Sequence, residues 1–133
     1  MAFRTPADPN ALVYVAFNGH VIALRPDTGE HVWSHDGETG LSRVLVEGAF
    51  VYVLQSLSVV CLEAATGRLI WQAGCDAGYT LLVHGGRVFV GGHGAIRCFS
   101  AVDGTPLWSD GFKGLGLGAV AIAVDGASSQ ADN

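Results

Sequence analysis

The chain is poor in charge, and poorest in positive charge. Only 14% of its 133 residues are charged, and 7 Lys and Arg stand against 12 Asp and Glu, a formal net charge of −5. Nucleic-acid affinity comes mainly from Lys and Arg on phosphates, so this balance argues against a nucleic-acid partner. It argues equally against an anionic membrane surface. Cysteine is scarce and odd in number, 3 in all, which does not suit a disulfide framework. No apolar run reaches the roughly 18 residues of a membrane span, and Met1–Asn10 holds no apolar core of a secretory signal. The expected compartment is therefore the cytoplasm. Sustained helical periodicity with caps is also missing, so no helix of consequence is expected.

What is abundant is apolar residues, half of the chain, and glycine, 19 in number. They are arranged in a repeat. PDTGEHVW at Pro26–Trp33, AATGRLIW at Ala64–Trp71 and AVDGTPLW at Ala101–Trp108 place Trp33, Trp71 and Trp108 38 and 37 residues apart. A fixed period of this length marks a repeat architecture. The copies extend upstream: Val13-Tyr14-Val15 matches Val51-Tyr52-Val53 and Val88-Phe89-Val90, followed by Val21–Leu24, Val59–Leu62 and Ile96–Phe99. A further run, Arg43–Val46 or Thr80–Val83, precedes two of the copies. These runs are short, rich in β-branched and aromatic residues, and bounded by Gly, Asp, Asn and Ser, so they read as strands joined by tight turns. Four such strands in about 37 residues make the blade of a β-propeller.

The pattern Val-Tyr-Val, then Ala-Leu or Cys-Leu, then Thr-Gly, then Trp resembles the repeat of the PQQ-like (quinoprotein-type) β-propellers over residues 11–126. Residues 1–10 form an extension and residues 127–133 a tail. The third copy departs from the pattern, with Asp103 in place of Thr28 and Thr66 and Arg97 in place of Ile22 and Val60. The resemblance implies strands a (innermost) to d (outermost), so that the chain reads bcd, abcd, abcd, a. The first copy lacks strand a, and Gly118–Val124, with an Asp125-Gly126 ending, supplies it at the other end. Propellers commonly close by such a split blade, and rings of about four to eight blades are the observed range. The economical arrangement is a homodimer of six blades, each Gly118–Val124 completing the first blade of the other copy.

Chemistry is harder to find. The resemblance places ligand sites on the face of the d-to-a and b-to-c loops. The candidate partner or ligand residues there are Asn18, His20, Asp36, Glu38, Arg43, Asp76, Tyr79, His93 and Lys113. Trp33, Trp71 and Trp108 are expected to dock against neighbouring blades. Cys61 and Cys98 take matching core positions, whereas Cys75 falls in a d-to-a loop, where a thiol could react or pair between chains. His31 and His35 share a strand face yet lie about 13 Å apart at strand rise, too far to share a metal. His20 and His93 occupy matching loops, but no Cys/His ligand spacing accompanies them, and no metal site is expected. The segment GFKGLGLG at Gly111–Gly118 superficially resembles a phosphate loop, but it lacks the Gly-Lys-Ser/Thr ending and a following helix. It reads as a connector into the exchanged strand.

For the dehydrogenases of this class the resemblance would imply a PQQ cofactor, a calcium ion, a catalytic Asp and adjacent cysteines beneath the quinone. Cys61, Cys75 and Cys98 are isolated, and no acid/base or nucleophile order stands out. The expectation is a non-catalytic propeller without cofactor that serves interaction or assembly. A small-ligand or glycan-binding propeller, with Phe17 and Tyr79 as aromatic platforms, is the alternative, and a quinoprotein-type oxidoreductase fragment is the third reading.

Overall fold

A computed structural model describes residues 11–40, 43–75 and 78–125. The N-terminal extension, the C-terminal tail and Asp76 lie outside the described residues. Eleven antiparallel strands follow one another without a helix among the described residues: β1 (Val13–Phe17), β2 (His20–Leu24), β3 (His31–Asp36), β4 (Arg43–Glu47), β5 (Phe50–Leu54), β6 (Ser58–Glu63), β7 (Leu69–Gly74), β8 (Thr80–His84), β9 (Arg87–Gly92), β10 (Ala95–Ser100) and β11 (Pro106–Asp110). They form a three-stranded sheet β1-β2-β3 and two four-stranded sheets, β4-β5-β6-β7 and β8-β9-β10-β11. These are the three blades that the repeat predicts. Each carries a register shift at the same place, Ala23/Leu24, Cys61/Leu62 and Cys98/Phe99, just before the turn that leads to the Trp strand.

The middle blade shows why its strands are apolar on both sides. Side chains alternate across a strand, so β5 offers one set to each neighbour. Val51 and Val53, with Val60 and Leu62 of β6, pack in a core that includes Tyr14, Ala16 and Trp33 of the first blade. Tyr52 and Leu54, with Val59 and Cys61, pack with Leu81, Val88, Val90 and Phe99 of the third blade. The continuous burial of β5 and β6 thus reflects two interfaces rather than one.

The tryptophans join the blades. Trp33 donates its indole N–H to the Ala64 carbonyl at 2.9 Å, and Trp71 donates to the Ala101 carbonyl at the same distance. Each ring lies against the glycine of the receiving turn. A Cβ at Gly67 would come within 2.5 Å of the Trp33 ring, and one at Gly104 within 2.4 Å of the Trp71 ring. Both glycines also sit at positive φ, 78° and 77°, where a side chain is strained in any case. Glycine is thus required twice over, by backbone conformation and by the docked indole.

The ends differ from this pattern. Trp108 has no following blade to receive its ring among the described residues, and it is 48% exposed where Trp71 is 7% exposed. Trp33 and Trp71 thus each reach the turn of the next blade, and Trp108 reaches none among the described residues. The expected strand over Gly118–Val124 also forms no ladder. Its intended partner β1 belongs to the first blade, with the middle blade between it and the third. The segment lies instead along the third blade: Gly94 N–H donates to the Gly118 carbonyl at 2.7 Å and the Thr80 hydroxyl donates to the Val120 carbonyl. Ile122 is buried there.

All three cysteines are buried and none is in a disulfide. The thiol of Cys75, expected in an accessible loop, instead packs in the core between the second and third blades, with its backbone N–H donated to the Leu57 carbonyl at 2.9 Å. Burial pushes the Cys61 thiol up to about 11, against the opposing effect of its hydrogen bond to Tyr52. Burial also pushes the Tyr52 hydroxyl up to about 12, aided by the nearby Cys61 and Glu47 charges. Burial raises Cys98 as well.

Two outcomes follow. Trp71→Ala should cost about 3–5 kcal/mol in urea unfolding, through the lost ring, its cavity and the orphaned Ala101 carbonyl; a loss under about 1 kcal/mol would contradict the docking. A thiol reagent at about pH 8 should leave the folded chain unlabelled on a time scale that labels all three thiols in denaturant, because burial shuts the reagent out from all three and the raised pKa of Cys61 and Cys98 leaves those two little thiolate. Prompt labelling of Cys75 in the folded chain would overturn its placement.

Candidate functional site

The loop face collects polar residues because strands end there, and each loop must satisfy its backbone groups. In the first blade the β1–β2 turn uses Asn18 at φ 52° and Gly19 at φ 87°. This hairpin aligns His20 with Asp36 across β2 and β3, and His20 Nδ1 lies 2.8 Å from Asp36 Oδ1 in an exposed pair. The third blade repeats the tight turn with His93 at φ 52°. There the His93 ring meets Tyr79 edge-on, with centroids 5.4 Å apart.

Glu38 does something different. Its Oε1 accepts from the backbone N–H of Leu57 at 2.9 Å and from the Ser58 hydroxyl at 3.2 Å. Ser58 also lies 3.3 Å from Gln55 Oε1, and Gln72 Nε2 donates to the Ser58 oxygen at 3.2 Å. Gln55 and Ser58 are buried. The Ser56 hydroxyl adds a bond to the Thr39 carbonyl at 2.7 Å. Glu38 is therefore a clasp that fastens the loop after the first blade to the b-to-c loop of the second. Its carboxylate is occupied by structure.

The predicted loop residues thus divide into separate groups. His20 pairs with Asp36, Tyr79 with His93, and Glu38 with the second blade, while Arg43 opens β4 and Lys113 stands exposed in the turn beyond β11. The Phe112 N–H of that turn donates to Asp110 Oδ1 at 2.8 Å. No group of three His, Cys, Asp or Glu among the described residues is placed to hold a metal ion. Among the described residues the three cysteines are isolated and buried, and the Glu38 carboxylate is engaged in the clasp.

Sequence reasoning passed over two features. One is the Gln55–Ser58–Gln72 network, buried at Gln55 and Ser58, whose only sequence signal is polar residues flanking an apolar strand. The other lies on the opposite face, where the a-to-b and c-to-d turns meet. A cleft of about 440 Å³ between the first and second blades is lined by Tyr14, Gly48, Glu63 and Ala64, and one of about 360 Å³ between the second and third by Tyr52, Gly86, Ala101 and Val102. The two are repeats of one another, and each is bordered by the carbonyl that receives a Trp.

Comparison with known proteins agrees with this architecture. Residues 17–130 match the family described as outer membrane protein assembly factor BamB. No curated protein matches the sequence. Among solved structures, BamB from Moraxella catarrhalis is similar at 23% identity and a TM-score of 0.63, over 87% of this chain and 36% of that one. The computationally designed protein Ika8 is similar at 18% identity and a TM-score of 0.71, over 86% of this chain and 37% of that one. The quinohemoprotein alcohol dehydrogenase from Comamonas testosteroni is similar at 22% identity and a TM-score of 0.60, over 76% of this chain and 19% of that one. The chain thus spans little more than a third of the BamB structure, and at these identities the neighbours establish the fold alone. With three PQQ-type blades in register and a family match over most of its length, the chain belongs to the BamB-type family of PQQ-like β-propeller proteins.

Proposed function

We propose that the chain is a non-catalytic assembly module that works by binding protein, in the first place a second copy of itself, to close a six-bladed ring. The observation that carries this reading is the condition of the two end blades. β1 lies at the edge of its sheet with no ladder partner on its outer side among the described residues, whereas the equivalent strands β5 and β9 are flanked by β4 and β8. The segment 118–124 has the composition of the missing strand and no ladder of its own. An open edge and a strand-like segment outside any ladder in one molecule are a route to pairing between molecules.

Two further points support the reading. The family is described by an assembly role, and the loop-face carboxylate of Glu38 is committed to holding blades together. The test is the solution mass by light scattering of the full chain beside the chain ending at Gly116. The full chain should run near twice its 13.8 kDa, and the shortened chain should be monomeric or aggregated. A full chain that stays monomeric at high concentration would contradict the reading.

A further inference from the structure

The turn Pro26–Gly29 is built like the two turns that receive a tryptophan, and no indole occupies it among the described residues. Arg25 N–H donates to the Glu30 carbonyl at 2.9 Å and Gly29 N–H to the Arg25 carbonyl at 2.8 Å. The corresponding bonds in the second blade, Glu63 to Arg68 and Gly67 to Glu63, are both 2.8 Å, and those in the third, Ser100 to Thr105 and Gly104 to Ser100, are also 2.8 Å. Gly29 has φ 75°, beside 78° and 77° for Gly67 and Gly104. The difference is occupancy: a Cβ at Gly29 would meet nothing within 4 Å, whereas at Gly67 and Gly104 it would strike an indole.

The other half of the contact stands at the far end. Trp108 pairs with Phe89 at a centroid distance of 6.1 Å, as Trp33 pairs with Tyr14 at 5.8 Å and Trp71 with Tyr52 at 6.3 Å. The ring is thus preset in the docking arrangement while half exposed. The sheet faces show the same division. Val13 holds the register position of Val51 and Val88, both fully buried against a preceding blade, yet Val13 is 45% exposed. The two ends therefore present the two halves of an interface that the chain already makes twice internally.

We infer that Trp108 of one copy docks on the Pro26–Gly29 turn of a second copy, its indole N–H donated to the Pro26 carbonyl, the position of Ala64 and Ala101. Val13 and Val15 of the second copy then cover Phe89 of the first. This inference rests on the assembly reading above and adds to it the residues that fasten the junction. A second copy is the fitting occupant because the receiving turn and the unplaced indole belong to the same sequence and match the internal junctions bond for bond. In a ring of two, both junctions are made by the same pair of surfaces.

The test compares the dimer dissociation constants of four full-length chains by sedimentation: the parent, Trp108→Ala, Gly29→Ala and Gly48→Ala. Gly48 is the control, with φ 60° and nothing within 4 Å of a Cβ, so its substitution carries the same backbone strain away from the junction. Trp108→Ala should weaken dimerisation at least about thirty-fold, as expected for a central interface tryptophan. Gly29→Ala should do likewise and Gly48→Ala should leave it near the parent value. Mixing Trp108→Ala with Gly29→Ala should restore association, because one intact junction forms between an unaltered Trp108 and an unaltered Gly29. A dimeric parent whose Trp108 and Gly29 variants stay dimeric would overturn the docking while sparing the assembly reading. A monomeric parent would overturn both, and would give the vacant turn to another polypeptide.

Discussion

Each blade of this protein is held to the next by one indole laid on one glycine turn. A four-stranded sheet of this size has two apolar faces and cannot bury either alone. The Trp strand solves this at its outer edge: it carries a large ring onto the following blade and satisfies the indole N–H on that blade's turn carbonyl. Everything else depends on that spacing. The tight turn must follow a bulge of fixed position, the turn must hold glycine at positive φ, and the aromatic residue on the second strand must lean on the same indole. The Glu38 clasp then ties the opposite, loop-bearing edge of the first junction.

A structure held together only by contacts between successive units has no natural end. Interior blades meet their needs on both sides, and the first and last each keep one open face. Here those open faces are not blunted by charge: Val13, Phe17 and Trp108 are among the exposed large apolar side chains. Such surfaces call for cover, and the chain itself contains cover of the right shape. This is why the assembly reading proposed above rests on the junctions rather than on the loop face, where the described polar residues pair locally and converge on no common point.

The blades were legible in the sequence because every element recurs at the same offset. The three Val-aromatic-Val strands, the turns and the tryptophans stand at matching positions along the chain. What escaped is what depends on a partner in space. Cys75 follows a strand end and reads as loop, yet its side chain enters the core beside Leu81 and Val90. Trp108 carries the same local signature as Trp71 and differs only in what comes next. Glu38 was legible as a polar loop residue, but its bonds reach across 19 and 20 residues to Leu57 and Ser58, a pairing that no local pattern encodes.

The central claim is that the junction seen twice within the chain is made again between chains. The most direct measurement is isotope-filtered NMR on two differently labelled copies refolded together, which reports contacts between molecules alone. The account expects intermolecular contacts from the Trp108 indole to Gly29 and from Val120 and Ile122 to β1. If the only contacts between these segments and their neighbours are within one molecule, and Trp108 stays solvated, the claim is contradicted.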